Sequence, residues 1–584
     1  MYSEKKLSYY ITKSKTLEYK KFEKKIRIAI LSSFTLNGLI ETLKVKCNEQ
    51  QIECVGFASG YNQYNQDILN KKSDIYQFSP DLSFLILDTR TILGNLFYSP
   101  YSLTISQRKE FIENKANELF DLAKTFVDTS QSKLVVSNFV IPTYSPFGIY
   151  ESKTEFGIQE MTQSLNMKIA NKIMNEPSLY LYDFNGFVTR YGENNIFDYR
   201  QFFYGDIKIS FNYIPFLAHD LMGYIKPILG LNRKCIVLDL DNTLWGGVVG
   251  EDGFDGIKIG DDSIGRAYLE FQKRLLSLHE RGMILAINSK NNFDDAIKVL
   301  REHPNMILHE EHFACLKINW NDKVSNMKEI ADELNIGLDS MVFFDDDPLN
   351  REFIKTRLPQ ILTIDLPNDP SSFGYILTVI NDFNVLKITD EDKKRGKMYL
   401  QQRKRTELQK NSLDLEEFLR QLNIEVKIKH ADEFTIPRIS QLTLKTNQFN
   451  LTTQRYQEEE IRKFANDQKK IVGCARVIDK FGDNGITGVF IINKDNNNEW
   501  TLDTFLLSCR VIGRNVEYCI LNHIIEKAKN EGIKKLKGKF IPTKKNKPSE
   551  NFLPNFGFKK EGDHWVYSIE EHTKEIPHIT LSVE

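Results

Sequence analysis

The sequence predicts an α/β protein: two successive open sheets of parallel strands, Rossmann-like in layout, followed by a smaller α+β unit. Three observations carry this. Over the first 230 residues, short β-rich runs alternate with helical stretches. A second alternation starts abruptly at KCIVLDLDNTLWGG (234–247). Beyond residue 424 strand-like runs follow one another directly. Strand–helix alternation implies parallel strands joined by right-handed crossovers, whereas consecutive strands imply antiparallel pairing.

In the first unit, residues 1–230, KIRIAIL (25–31), IECVGF (52–57), LSFLILD (82–88), KLVVSNFV (133–140) and LYLYDF (179–184) read as strands. Helical spacing fills 106–128, 154–175 and 213–229. The second unit, 231–366, has strands at 234–240, 283–288 and 340–345, with helices at about 263–281, 292–302 and 321–335. Residues 367–423 are charged, with Leu and Met at loosely helical spacing, and predict a helical connector. In the last unit, 424–584, strands are expected at 471–478, 486–493 and 500–508. A turn at FGDNG (481–485) joins the first two, and a helix follows at about 513–530.

Composition narrows the function. With 584 residues, 41% hydrophobic and 27% charged, the chain is globular in balance and long enough for three or four domains of roughly 100–200 residues. Lys+Arg is 78 and Asp+Glu is 79, so nothing marks a basic nucleic-acid surface. No apolar run reaches the roughly 18–20 residues of a membrane helix. The seven cysteines (47, 54, 235, 315, 474, 509 and 519) form no CxxC pair, which predicts a reducing, cytoplasmic setting.

The chemistry concentrates in the second unit. Asp239 and Asp241 stand where an apolar strand gives way to a loop, and ligands of open α/β sheets bind at such carboxyl ends. Two carboxylates at i and i+2 can share a divalent cation or split into a nucleophile and an acid/base. Asp345, Asp346 and Asp347 follow another strand, SMVFFDDDP. Hard oxygens converging from two strand ends suit Mg²⁺. Asp347, before Pro348, is placed to cap the next helix. Ser289 ends a strand and can hold a phosphate, and Lys323 can neutralise phosphoryl charge.

These residues resemble the haloacid-dehalogenase (HAD) phosphatases and phosphotransferases, since DLDNTLW, Ser289, Lys323 and Asp345/Asp346 match their four motifs in order. The resemblance implies that Asp239 attacks phosphorus, Asp241 acts as acid then base, and Ser289 and Lys323 hold the phosphoryl group. It also implies Mg²⁺ bound by Asp239, the Asp241 backbone and Asp345 or Asp346. The whole chain further resembles FkbH-like proteins, HAD subclass IIIC, in WGGVVGEDG, SKNN, FFDDDPLNREF, QFNLTTQRY and SCRVIGR. GYNQYNQDIL and FSPDLSFLILDTR carry the likeness into the first unit.

That resemblance implies a small phosphorylated substrate, such as the acyl phosphate 1,3-bisphosphoglycerate, and an acyl carrier protein whose thiol receives a glyceryl unit. Two alternatives stand beside it: a sugar-phosphate phosphatase in surface-polysaccharide synthesis, and a non-catalytic scaffold that binds a carrier protein.

In the last unit, Arg510-x-x-Gly513-x-Asn515 resembles the coenzyme A loop of GNAT-fold acetyltransferases, with Asn515 in place of a small residue. Arg510, Gly513, Arg514 and Asn515 are thereby expected to bind phosphate or pantetheine. Cys509, beside Arg510 and ahead of a helix, is a candidate acyl-accepting nucleophile. Seven lysines within 534–547 offer a face to an acidic carrier protein. The first unit resembles SGNH-type hydrolases in strand order. Ser33 is its candidate nucleophile and His219 its candidate base, although Ser-Ser-Phe replaces the usual Gly-Asp-Ser and the Asp-x-x-His pairing is missing.

Overall fold

The computed structural model describes residues 4–18, 22–261, 263–393, 395–496, 498–570 and 574–584. The chain separates into two compact units, Met1–Leu229 and Gly230–Glu584.

The first unit holds a five-stranded sheet: β1 (Lys24–Ser32), β2 (Ile52–Ala58), β3 (Leu82–Ile86), β4 (Lys133–Ser137) and β5 (Leu179–Tyr182). All are parallel, in the order β2-β1-β3-β4-β5. β3 is buried along its whole length, as a central parallel strand covered on both faces must be. The helices Ile105–Ser130, Ile158–Ile173 and Ile214–Ile228 form where the spacing expects them. The crossover helix Leu39–Glu49 escaped the sequence reading, because its mixed ETLKVKCNE run shows little contrast between faces.

The second unit opens with another parallel sheet: β6 (Cys235–Leu238), β7 (Ile284–Ser289), β8 (Phe313–Ile318), β9 (Met341–Asp345) and β10 (Leu362–Asp365). Its order is β10-β9-β6-β7-β8. β6, β7 and β9 are buried at every position, between helices Gly265–Glu280, Phe293–Glu302, Lys323–Glu333 and Pro348–Arg357. β8 and β10 are the edge strands that the sequence reading missed. FACLKI and LTID each carry a charge and are short enough to pass for loop. Strand order reverses at β6, so the crevice at a topological switch point opens at its carboxyl end.

The last sheet is mixed: β11 (Ile424–His430), β12 (Phe449–Asn450), β13 (Lys470–Asp479), β14 (Gly482–Asn496), β15 (Glu499–Leu507), β16 (Lys535–Gly538), β17 (Lys559–Glu561), β18 (His564–Ser568) and β19 (Ile579–Val583). Its order is β17-β18-β16-β15-β14-β13-β11-β19, with β12 beside β15. The β13–β14 hairpin turns at Lys480 and Phe481, since Asp479 pairs with Gly482. The Asp483–Gly485 part of FGDNG, expected as turn, lies within β14. The helix Val516–Asn530 packs on this sheet through Ile520, Leu521, Ile524 and Ile525. Together these sheets and helices form the expected α/β, α/β, α+β succession.

Candidate active site

Register assembles the site. β6 pairs with β9 so that Leu238 lies beside Phe344, and Asp239 N donates to the Phe344 carbonyl at 3.0 Å. One residue further on, Asp239 and Asp345 therefore stand side by side at the carboxyl edge. β6 also pairs with β7, Leu238 beside Ile287, which brings Ser289 to the same edge. Lys323 is the first residue of the helix Lys323–Glu333, whose N-cap Asp322 accepts from Ser325 N at 2.9 Å.

Lys323 Nζ lies 2.8 Å from Asp239 Oδ2 and 2.5 Å from Asp345 Oδ2, and is 3% exposed. One oxygen from each of Asp239, Asp345 and Asp346 falls within 4.8 Å of the others. Three carboxylates facing one ammonium leave two negative charges in a largely buried space, which is the deficit a divalent cation fills. Asp346 registers that deficit. Burial, then Asp239 and Asp345, push its carboxyl up to about 6. Burial opposes the charge on Lys323, but Asp239 and Asp345 outweigh it and hold the ammonium above its ordinary range.

Asp241 lies outside that trio. Its Oδ1 accepts from Trp245 Nε1 at 2.8 Å and Val249 N at 3.1 Å, and its Oδ2 from Asn291 Nδ2 at 2.8 Å. Burial raises its pKa, the three donors pull against the rise, and Asp239 adds to it. A carboxyl raised but still oriented by donors suits proton transfer. Ser289 is buried at the end of β7, and its carbonyl accepts from Asn319 N at 3.1 Å. Asp347 caps the helix Pro348–Arg357 through Leu349 N at 2.9 Å.

Several supporting residues went unread in the sequence. Asn288 donates to the Lys323 carbonyl at 2.9 Å and accepts from Asn326 at 3.1 Å, tying β7 to the lysine's helix. Thr243 Oγ1 accepts from Asp346 N at 3.2 Å. Arg351 donates to the carbonyls of Asp345 and Asp346 at 2.7 and 2.6 Å. Thr243 within DLDNTLW, Asn291 within SKNN and Arg351 within FFDDDPLNREF stood in the recognised phrases, whereas Asn288 and Asn326 carried no sequence signal.

The residues expected in the last unit are arranged differently. Cys509 sits in a single 3₁₀ turn, Cys509–Val511, and the helix begins seven residues later at Val516. The thiol is thus not at that helix's N-terminus, and Asn335 Nδ2 donates to the Cys509 carbonyl at 2.5 Å. Arg514 is buried, donating to Asp479 at 3.1 Å and to the Arg510 carbonyl at 2.5 Å. Gly513 and Asn515 adopt left-handed backbone, φ 79° and 64°, and the Asn515 amide reaches His578 at 3.4 Å. Arg514 is thus committed inward and Asn515 faces the C-terminal segment. Of the lysine face, Lys537 pairs with Glu499 and Lys545 with Asp339.

In the first unit, Ser33 follows β1, and its Oγ accepts from Asp88 N at 2.8 Å. His219 lies on the helix Ile214–Ile228 with Nδ1 3.9 Å from Glu4. Among the described residues no hydrogen bond or ion pair joins Ser33 to His219.

Residues 230–365 thus carry the expected motif residues, in order, on a parallel sheet, with an α/β unit ahead of it in the chain and a mixed-sheet unit behind it. Residues 27–226 match the family model described as FkbH, N-terminal domain. The crystal structure of the N-terminal part of BF1531 from Bacteroides fragilis, containing a phosphatase domain complexed with Mg, is 28% identical. That match covers 66% of this chain and 100% of the other, with a TM-score of 0.60.

Two acetyltransferases also match. The ribosomal-protein-S18-alanine N-acetyltransferase of Escherichia coli is 10% identical over 26% of this chain and 98% of its own, TM-score 0.21. A GNAT-family acetyltransferase of Staphylococcus aureus Mu50 is 15% identical over 25% and 99%, TM-score 0.21. At those identities the likeness extends to neither substrate nor site. No curated protein matches the chain.

Proposed function

We propose that this protein is a Mg²⁺-dependent phosphatase or phosphotransferase acting through an aspartyl phosphate. The observation that carries the reading is the Asp239–Lys323–Asp345–Asp346 cluster at the switch point of a parallel sheet. The Mg-complexed phosphatase domain of BF1531 supports it. Asp239, Asp345 and Asp346 would hold Mg²⁺, which when bound offsets charge on the phosphoryl oxygens.

An oxygen of Asp239 attacks phosphorus in line, and the bond to the leaving oxygen breaks. Asp241 gives that oxygen its proton. It then takes a proton from the water that releases phosphate from Asp239. Lys323 holds Asp239 in place and, with Ser289, neutralises and orients the phosphoryl group.

The substrate we infer is a glyceryl or other acyl phosphate, with delivery of the acyl unit to a carrier-protein thiol. Chemistry constrains how both steps coexist. Attack of Asp239 on the phosphorus of an acyl phosphate would release a carboxylate, which cannot acylate a thiol. The phosphate taken by Asp239 must therefore be an ester phosphate elsewhere on the substrate. The activated carbonyl is instead attacked by a thiolate, with inorganic phosphate leaving from carbon.

The test is intact-mass spectrometry after incubation with Mg²⁺, 1,3-bisphosphoglycerate and a phosphopantetheinylated carrier protein. A glyceryl adduct on the carrier, absent with Asp239→Asn, is expected. Phosphate release without an adduct leaves the phosphatase and removes the acyl transfer. With Asp239→Asn the carrier should instead gain a phosphoglyceryl mass, and loss of the ester phosphate that survives the substitution removes the phosphatase mechanism.

A further inference from the structure

The first unit holds a cavity of 230 Å³ at the carboxyl edge of its sheet. Asp88 and Arg90 reach it from beyond β3, and Val140 and Thr143 from beyond β4. Glu193, Phe197, Tyr199 and Lys208 close its other side. Neither Ser33 nor His219 lines it, so it is not the hydrolase site that the resemblance implies.

Two of its polar groups lack partners. Asp88 is 2% exposed. Lys208 pairs with its Oδ1, while Oδ2 receives no hydrogen bond among the described residues. Arg90 Nε stops 3.8 Å from that oxygen, beyond hydrogen-bond reach. The guanidinium lies instead over the Phe202 ring, 4.6 Å from its centre. Among the described residues no hydrogen bond engages its guanidinium N–H groups. A planar acceptor and a planar donor fork, both unmet, therefore stand side by side at the cavity. Leaving such groups unmet is costly, so the pair calls for a ligand that both donates and accepts.

Charge narrows the class. The four charged side chains that line the cavity cancel, Asp88 and Glu193 against Arg90 and Lys208. Asp88 and Lys208 are neutral as a pair with the proton on either partner. Glu193 is already met by Thr143 Oγ1 at 2.6 Å and Tyr199 OH at 3.1 Å. No surplus charge awaits a phosphate or an ammonium. A hydroxyl is a neutral group that donates and accepts at once. Two on neighbouring carbons fit the fork, one donating to Asp88 Oδ2 and the other accepting from Arg90. The walls add aromatic rings, Phe97, Phe197, Tyr199 and Tyr144, the last 71% exposed. Such faces pack against the C–H face of a ring. A volume below the roughly 300–1,000 Å³ of drug-sized sites limits the occupant to one ring.

We propose that this cavity binds one ring of a neutral sugar through a vicinal diol, as the free sugar or as the end of a longer glycan. The site is separate from the Asp239 cluster and needs no metal.

The test is saturation-transfer NMR on the full-length protein in metal-free buffer, with the methyl glycosides of glucose, galactose, mannose and rhamnose. Glycerol and inorganic phosphate serve as controls. Transfer to at least one glycoside is expected, and to neither control. Arg90→Met removes a charged donor and should weaken that binding about tenfold or more. Tyr144→Ala, at an exposed position, should weaken it several-fold, and carries the test should Arg90→Met not fold. Asp239→Asn should bind as the unsubstituted protein does. A matching oligosaccharide held more tightly than the methyl glycoside identifies a glycan end, and one held no better identifies the free sugar. Absence of transfer to every glycoside overturns the site. So does binding that Tyr144→Ala or a folded Arg90→Met leaves unchanged, equal binding of glycerol or phosphate, or loss of binding in Asp239→Asn. None of these results depends on whether Asp239 turns over a substrate.

Discussion

Lys323 is the residue on which the site's electrostatics turn. It is a buried cation touching two carboxylates, with a third close by. Truncating one partner of a buried pair leaves the other's charge uncompensated, at about 3–5 kcal/mol. Lys323→Met should lower unfolding free energy by about that amount in metal-free urea titrations. Added Mg²⁺, offsetting the same carboxylates, should restore part of the loss. If Mg²⁺ restores none of it, the carboxylate trio is not a metal site. The placement of Asp239, Asp241, Ser289 and Lys323 was legible because the first two follow a strand, Ser289 ends one and Lys323 starts a helix, which local patterning reveals. Asn288 was not, because an asparagine inside an apolar strand shows its purpose only when Lys323, 35 positions on, is beside it.

At the scale of elements, the helix Val516–Asn530 begins with a buried carboxyl. Among the described residues Glu517 Oε2 has no hydrogen-bond partner, and burial pushes the carboxyl's pKa up from 4.5 to about 7. Between those values the folded chain keeps a proton that the unfolded chain has lost. Its stabilising share is thus complete below pH 4.5, shrinks as pH rises, and is gone above 7. Glu517→Gln should remove about 3 kcal/mol of pH dependence between pH 5 and 8. Urea unfolding at both pH values checks this, and an unchanged difference would sink it.

The helix Arg395–Asn411 is anchored in a similarly closed environment. Arg405 meets Asp479 through two hydrogen bonds of 2.7 Å, and Arg514 shares that carboxylate. Arg405→Met should cost about 3 kcal/mol, because Asp479 keeps Arg514 and is not left wholly unpaired. A loss below about 1 kcal/mol in chemical denaturation would show that the pair barely repays its desolvation. The connector's helical character was readable from spacing. Its anchor was not, since Arg405 and Asp479 are 74 residues apart. The same distance effect hid β8 and β10, edge strands defined by the neighbours they pair with.

Across the whole molecule, order along the chain was readable and the meeting of distant segments was not. A cavity around Arg510 joins stretches near residues 234, 335, 440, 509 and 545, so no window of sequence contains it. Lys234, on its wall, and Asp239 stand at opposite ends of β6, so the cavity beside Cys509 lies away from the Asp239 cluster. Phosphate release should accordingly be unaffected by Cys509→Ser.

Division into units leads to a stronger expectation. Ala29, Leu85, Phe126 and Leu165 belong to a core wholly within Met1–Leu229, whereas Ile236, Phe271, Ile287 and Phe344 belong to one within Gly230–Glu584. Every residue of the Asp239 cluster and its supports lies in the latter. Residues 230–584 expressed alone should therefore fold cooperatively and release phosphate from a Mg²⁺-dependent substrate at a kcat within about threefold of the full chain, a barrier change of about 0.7 kcal/mol. A folded fragment with kcat reduced a hundredfold would mean that the first unit completes the active site. A fragment that does not fold would mean that the two cores are not independent.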